Sequence, residues 1–465
     1  MKDFIGYHSE WNLGSPGGWD YQRITQTIGK EVWQKVHQGR ADFELDFDHP
    51  LLHPVNAFVD MLKEVHLQRE GRKKGLIAVV AEEETLEDVV ENKNLATHLN
   101  SIDGLKGVLI APHELELDQG SVCYKSEPVS VIFMDFNTNV LLELHRDHNL
   151  TPLLQAVSEG RVINPRGTEP INSKGMYEVI TDPEKNKVFH QETINRTPWT
   201  RQFFPRKTTG PQNENIPDLI EWTRLNWDNL VLKPERGYSG KGVKVGCIHT
   251  RTNDIINEAL DQGNYIVQEK IPLHLWAEMI PELDPENKRI DVKIFQTDFR
   301  CLFGKDILFG FLGRYGGVPT NVGSGGGVQP LAVIPPDQDV GKITQKINDI
   351  ICMSDFEFVK EIQEYQNKLA LDYHFTYLLG PIKIALRPRL VTIEQLTNLK
   401  RYCERIWADC LVLEEMWYSG NLGLKVDLDP DELEIIRSQP WKGSPAIFAS
   451  DGLFSFGAHT DEIPC

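Results

Sequence analysis

With 465 residues the chain is too long for one small core, and its 40% hydrophobic and 25% charged residues set it apart from a disordered chain, so two or three packed subdomains are expected. Its 68 Asp and Glu against 49 Lys and Arg leave a formal charge of −19, a field that repels nucleic-acid phosphates and anionic lipid and argues against nucleic-acid partners. The apolar runs are too short to span a bilayer, the opening MKDFIGYHSEW lacks the apolar centre of a secretion signal, and the seven cysteines have no Cys-x-x-Cys spacing; a cytoplasmic protein with no membrane partner, disulfide framework or thiolate zinc site is expected.

In chain order, residues 74–81 (KGLIAVVA) read as a buried strand, 86–99 as a helix, 106–111 as a second strand and 129–136 (VSVIFMDF) as a third. This alternation predicts a parallel α/β layer, assigned to a subdomain over residues 70–182 that closes with a helix at 151–159, a strand at 162–163 and a helix at 172–180. Residues 182–214, polar and rich in Pro and charge, read as a boundary or mobile connection. Beyond it, 229–234 (NLVLKP) and 241–246 (KGVKVG) read as two strands joined through Glu235-Arg236-Gly237-Tyr238-Ser239-Gly240, a hairpin with a glycine-bearing tip. A helix at 253–262, a strand at 265–271 (YIVQEKI) and strands at 290–295, 299–303 and 308–314 follow, the last two around a Gly304-Lys305-Asp306 turn. Residues 342–410 read as mainly helical, and no internal repeat is present.

The hairpin is the first candidate for chemistry. Gly237, Gly240 and Gly242 allow backbone N–H groups to approach a polyphosphate, with Lys241 alongside and Lys233 on the preceding strand. It is not a Walker loop, because Gly242 and a strand follow Lys241 where Ser or Thr and a helix would stand; an ordinary turn between strands is the plain alternative. At the start of the chain, Glu10 and Asn12 in EWNLGSPGG stand at i and i+2, which places two oxygen donors on one face of a strand, as a Mg²⁺ site requires; a strand and turn without metal is the alternative.

NLVLKPERGYSGKGVKVG, YIVQEKI, DFRCLFGKDILFGFLGR and TNVGSGGG, in this order over residues 229–327, resemble the ATP-grasp superfamily. With the Glu-x-Asn pair at the opposite end of the chain, the resemblance is to circularly permuted members, similar to the glutathionylspermidine-synthetase and eukaryotic glutathione-synthetase groups and the type 2 permuted families. It implies an α/β chain with a circularly permuted ATP-grasp fold: residues 1–20 as the permuted metal-binding strand, the parallel α/β subdomain at 70–182, a nucleotide-binding region at 199–327, and a helix-rich C-terminal region at 328–465 that completes the fold. The resemblance further implies that Lys233 and a second lysine, Lys174, contact ATP, that residues 237–242 including Ser239 close over the phosphates, and that Gln268 and Glu269 meet the adenine edge. Arg300 and Arg314 would neutralise the transferring phosphoryl group, and Asn321 would belong to an anion-facing loop. Glu10 and Asn12 would hold Mg²⁺, two ions being expected, with a third carboxylate open among Asp298, Glu235 and Asp291; Asp298 is preferred because it shares a strand face with Arg300, although a plain Asp298–Arg300 pair would explain the same spacing.

The implied activity is an ATP-dependent carboxylate–amine ligase working through an acyl phosphate and releasing ADP and phosphate, with small-molecule acid and amine substrates and a homodimer left open. The alternatives are an ATP-dependent phosphotransferase and a non-catalytic nucleotide-gated interaction module. Arg201 reads as a surface arginine, and the acidic run at 427–432 (DLDPDE), His145-Arg146-Asp147 and the His49/His53 and His145/His148 pairs read as structural or solvated.

Overall fold

The computed structural model describes residues 3–70, 75–237, 240–272, 275, 277–305, 307–317, 320–376 and 380–458, and the statements below concern these residues. Along the chain, strand β1 (Ile5–Asn12) leads through a glycine-bearing loop into helix α1 (Trp19–His37) and then α2 (Pro54–Glu70). The α/β segment follows: β2 (Leu76–Val80), α3 (Val90–Asn100), β3 (Gly107–Ile110), β4 (Glu116–Asp118), β5 (Ser121–Tyr124), β6 (Glu127–Met134), α4 (Thr138–Asp147), α5 (Thr151–Ser158) and α6 (Met176–Thr181). Next come α7 (Gln191–Asn195), β7 (Thr200–Gln202), β8 (Thr208–Thr209), β9 (Asn215–Ile216), α8 (Leu219–Leu225), β10 (Leu230–Pro234), β11 (Lys244–Val245), α9 (Thr252–Gln262) and β12 (Tyr265–Glu269). A long antiparallel run, β13 (Ala277–Asp284), β14 (Arg289–Gly304), β15 (Ile307–Gly316) and β16 (Gly327–Gln329), precedes β17 (Leu331–Ile334), α10 (Val340–Cys352), α11 (Phe356–Asp372), β18 (Arg389–Thr392), α12 (Ile393–Tyr418), α13 (Pro430–Ser438) and β19 (Ile447–Ser455).

Three sheets position the site. The largest runs β1-β19-β14-β15-β16, with β13 paired to the outer half of β14. The α/β sheet runs β3-β2-β6-β5-β4, with β2 parallel to both β3 and β6. The smallest runs β11-β10-β12-β7, all antiparallel. One face of the large sheet buries Trp11, Phe299, Phe303, Phe448 and Phe454 against Leu399, Tyr402, Ile406 and Trp407 of α12, and a second core joins α1, α10 and α11 to β16–β18. Helix α1 begins with three backbone N–H groups, of Gly18, Asp20 and Tyr21, donating to the Glu91 carboxylate at 2.8, 2.7 and 3.1 Å, which satisfies most of its orphan donors. Gly18 has φ +114°, and a Cβ there would stand 2.8 Å from Leu312, so only glycine fits this entry.

Several expectations are corrected. The segment 182–214 is folded rather than a loose connection: β7 pairs with β12. Arg201 is buried, not at the surface, donating to Thr208 and Thr209 hydroxyls at 2.9 and 2.8 Å with its guanidinium over the Trp199 ring. The helix expected from 86 starts at Val90, because the N–H groups of Asp88 and Val89 close a turn onto the Thr85 carbonyl. The strands expected at 290–295 and 299–303 are one strand, since Gln296, Thr297 and Asp298 keep pairing with Gly316, Tyr315 and Arg314. The expected strand at 162–163 is a single bridge from Val162 to Ile132. No helix among the described residues is long and apolar enough to cross a membrane.

Candidate functional site

The register of the large sheet brings its charged residues into rows. Glu10 on β1 lies opposite Asp451 on β19, Asp451 lies opposite Arg300 on β14, and Asp298 lies opposite Arg314 on β15. Directly opposed residues in antiparallel strands share a face, and so do residues two apart. Arg300 grips Asp451 through Nε and Nη2 at 2.6 and 2.7 Å, while Arg314 reaches Asp451 at 3.0 Å and Asp298 at 2.7 Å. Thr320 donates its hydroxyl to the other oxygen of Asp298, and Asn12 approaches Asp451 at 3.4 Å. Burial alone would raise the pKa of Asp451, but Arg300 and then Arg314 outweigh it and hold the carboxyl well below the usual range. The plain alternative, an Asp298–Arg300 pair, does not form; Asp298 takes Arg314 and Asp451 takes both arginines.

Facing this row is the small sheet. Lys233 on β10 donates to the Gln268 side-chain oxygen on β12 at 2.8 Å and to the Ser9 carbonyl at 3.3 Å. Lys174, nine-tenths buried, donates to the Gly237 carbonyl at 2.9 Å and stands 3.4 Å from Glu10. Burial lowers the Lys233 ammonium to about 8; Glu10 pulls it back up, and the neighbouring Lys174 pushes it further down. Gln268 itself donates to the Thr200 hydroxyl at 3.0 Å, so its orientation depends on β7. At the base of the hairpin Arg236 pairs with Glu432, and Asn264 donates to Asp427 at 2.7 Å, so the acidic run at the start of α13 anchors the hairpin.

Between the two sheets lies a cavity of about 170 Å³. Its walls include Glu10, Lys174 and Lys233 at the centre, Gly237, Gly240 and Lys241 from the hairpin, Gln268 and Glu269 from β12, and Asp298, Arg314 and Asn321 from the large sheet and its loop. Asn12, Gly242 and Arg300 stand behind these walls rather than in them, and Ser239 lies outside the described residues. Of the other carboxylates considered for a metal, Glu235 turns into a buried bracket with Gln202 and Ser173, at 2.7 and 3.5 Å, where burial raises its pKa to about 7. Asp291 pairs with Arg289 at 3.0 Å on the outer hairpin. Asp451 and Cys247 also line the cavity and had no motif to reveal them, and so do Thr320 and Lys270, which lie within TNVGSGGG and YIVQEKI but were not singled out; Lys270 lies 3.3 Å from the Cys247 sulfur.

Glu10, Asn12, Asp298 and Asp451 offer oxygen donors alone, the chemistry of a hard divalent cation. As the side chains stand, Lys174, Arg300 and Arg314 compete for these carboxylates, and among the described residues no three His, Cys, Asp or Glu side chains are grouped closely enough to hold an ion.

No protein-family model and no curated protein matches the chain. Among solved structures, the D-alanyl-alanine synthetase A of Vibrio cholerae O1 biovar eltor str. N16961 is 13% identical, covering 48% of this chain and 67% of that one, with a TM-score of 0.25. The macrocyclase MdnC of Microcystis aeruginosa MRC, bound with precursor peptide MdnA, is 10% identical over 63% of this chain and 84% of its own, with a TM-score of 0.29. The D-alanine–D-alanine ligase of Bacillus anthracis is 10% identical over 73% and 99%, with a TM-score of 0.26. At TM-scores this low none of the three bears on the fold or the activity.

Proposed function

We propose that the chain is an ATP-dependent carboxylate–amine ligase that passes through an acyl phosphate and releases ADP and phosphate. The observation that carries this reading is the meeting, in one cavity, of Lys174, Lys233 and Lys241 under a glycine-bearing hairpin with Glu10, Asp298, Asp451 and Arg314 of the facing sheet. Three cations beside a carboxylate face suit a polyphosphate and its counter-ion better than either charge set alone.

In this reading Lys233 and Lys174 bind the phosphates, and the backbone N–H groups of the hairpin close over them. Gln268 and the β12 backbone orient the base. Glu10, Asn12, Asp298 and Asp451 are the residues that would hold Mg²⁺, which when bound offsets phosphate charge and polarises the transferring group. Arg314 and Arg300, relieved of part of their pairing to Asp451, stabilise charge on the phosphoryl oxygens as the substrate carboxylate attacks and ADP leaves. The amine then displaces phosphate from the acyl carbon, and the closed hairpin excludes water from that intermediate.

The acid and amine enter, in this reading, from the carboxyl ends of the parallel strands. The strand order β3-β2-β6 switches direction between β2 and β6, where crevices in open α/β sheets form, and Glu82 and Asp135 flank it. Burial raises the Asp135 carboxyl to about 6, while Asn92 donates to it at 2.6 Å. The loop after β1 joins this crevice to the phosphate side, because Asn164 donates to the Gly14 carbonyl at 2.5 Å and Arg300 to the Gly17 carbonyl at 3.0 Å.

The test is product analysis after incubation with ATP, Mg²⁺ and a mixed pool of acids and amines. ADP, phosphate and a new amide mass that needs both an acid and an amine support ligation. AMP with pyrophosphate would reject it, and a phosphorylated product formed without any amine would make the protein a phosphotransferase.

A further inference from the structure

A second cavity, of about 370 Å³, lies on the open edge of β1 and shares no residue with the nucleotide cleft. Its walls carry Arg196, Arg401 and Arg405, with Glu192 the one acidic residue among them. Arg401 and Arg405 are one turn apart on α12, and with Arg196 they converge on Glu192: Arg405 bonds it directly, Arg196 lies at 3.6 Å and Arg401 at 4.0 Å. Asp3 adds a weaker contact, 3.8 Å from Arg196.

Three guanidiniums present more N–H donors than one carboxylate can accept. Arg196 is fixed in place, donating to the Gly6 and Phe4 carbonyls at 3.2 and 3.3 Å with its guanidinium 3.9 Å above the Phe4 ring. The side chains of Arg401 and Arg405 keep 52% and 37% of their exposure, so donors remain open to the cavity. In a chain of formal charge −19, this is a local excess of positive charge carried on α12 and at the end of α7, against the edge of β1. We propose that this cavity binds a small multivalent oxyanion, a phosphate- or carboxylate-bearing metabolite, whose oxygens bridge Arg401 and Arg405 in forked pairs with Arg196 behind them. The ligand competes with Glu192 for the arginines. Because Gly6 and Tyr7 line the cavity and Glu10 lies on the same strand, the bound anion braces the strand that reaches the nucleotide cleft. The assignment does not depend on the ligase reading.

Calorimetry with inorganic pyrophosphate and with citrate, each without Mg²⁺, tests it in a Lys174→Ala/Lys233→Ala background that disables phosphate binding in the cleft. Binding of at least one probe is expected to persist there and to weaken by about tenfold or more on adding Arg401→Ala and Arg405→Ala. Glu192→Gln, which removes the competitor, should tighten it several-fold, a gain that a purely structural cluster would not produce. Tighter binding of pyrophosphate identifies a phosphorylated ligand, and tighter binding of citrate a polycarboxylate. Binding of neither probe, affinity indifferent to the arginines, or weaker binding in Glu192→Gln would overturn the proposal.

Discussion

Glu10 is the residue on which the two halves of the cleft meet: it stands 3.4 Å from Lys174, opposes Asp451 across the strand pair and raises the charge on Lys233. Its side chain keeps 31% exposure, so Glu10→Gln should fold as the parent does. Loss of the ligand charge should reduce ATP turnover on the order of a hundredfold, read by ADP release beside an unchanged melting curve. Lys233 sets a pH limit. With its ammonium at about 8 in the free protein, and phosphate favouring the charged form, nucleotide affinity should be level below pH 8 and fall above it by up to about tenfold per pH unit. Lys233→Arg should remove that slope in titrations from pH 7 to 9.5. His8 acts on stability instead. Burial, followed by Arg196, lowers its ring from 6.5 to about 3, and Thr197 and Tyr402 hydroxyls hold it neutral. The unfolded chain therefore binds the extra proton between those values, so stability is full above pH 6.5 and declines as pH falls toward 3. Urea unfolding should show a loss of about 1 kcal/mol between pH 7 and 5.5 that His8→Gln lacks.

At the scale of elements, the hairpin of β10 and β11 is the part most legible in sequence, because a turn needs particular residues. Gly240 and Gly242 have φ of +70° and +75°, and a Cβ on Gly242 would meet the Pro234 ring at 2.8 Å. Gly242→Ala should therefore deform the tip and weaken nucleotide binding by about tenfold, the scale of 1–2 kcal/mol of backbone strain, while the separate core around Trp199, Leu232 and Ile256 keeps the melting temperature close to the parent's. Hydrogen exchange across the hairpin should slow with ATP·Mg²⁺ in the parent and change less in the variant. Strand β12 and the placing of Lys233 on β10 were legible for the same local reason. Strand β19 was not: IFASDGLFS carries no motif, and its partners β1 and β14 lie far away in sequence, so nothing nearby in the chain marks Asp451 as the arginines' ligand. The Asp451 partner of Arg300 was hidden with it, since spacing alone offered only Asp298 as a neighbour on the same strand face. Residues 182–214 misled in the opposite way, because part of their polarity, at Arg201, Thr208 and Thr209, serves a buried network.

For the whole molecule, β19 is the keystone, lying between β1 and β14 with one charged row crossing all three. Removing residues 441–465 should leave both neighbours with unpaired edges and Arg300 and Arg314 without Asp451. Such a truncation should lose cooperative unfolding in circular dichroism and become sensitive to limited protease, rather than yield a folded protein that merely lacks activity.

The same pairing has a consequence in time. Strand β1 is made long before its partner β19, which begins at Ile447. At a synthesis rate of roughly 5–20 residues per second, the N-terminal strand waits roughly 20–90 s on the ribosome before it can pair. Throughout that interval Phe4 and Trp11, almost wholly buried in the finished protein, have no sheet to enter, and nascent-chain chaperones have a defined apolar segment to protect. The charged face is thus a post-synthetic event: a ribosome stalled before β19 should hold a folded α/β segment and an unzipped strand β1.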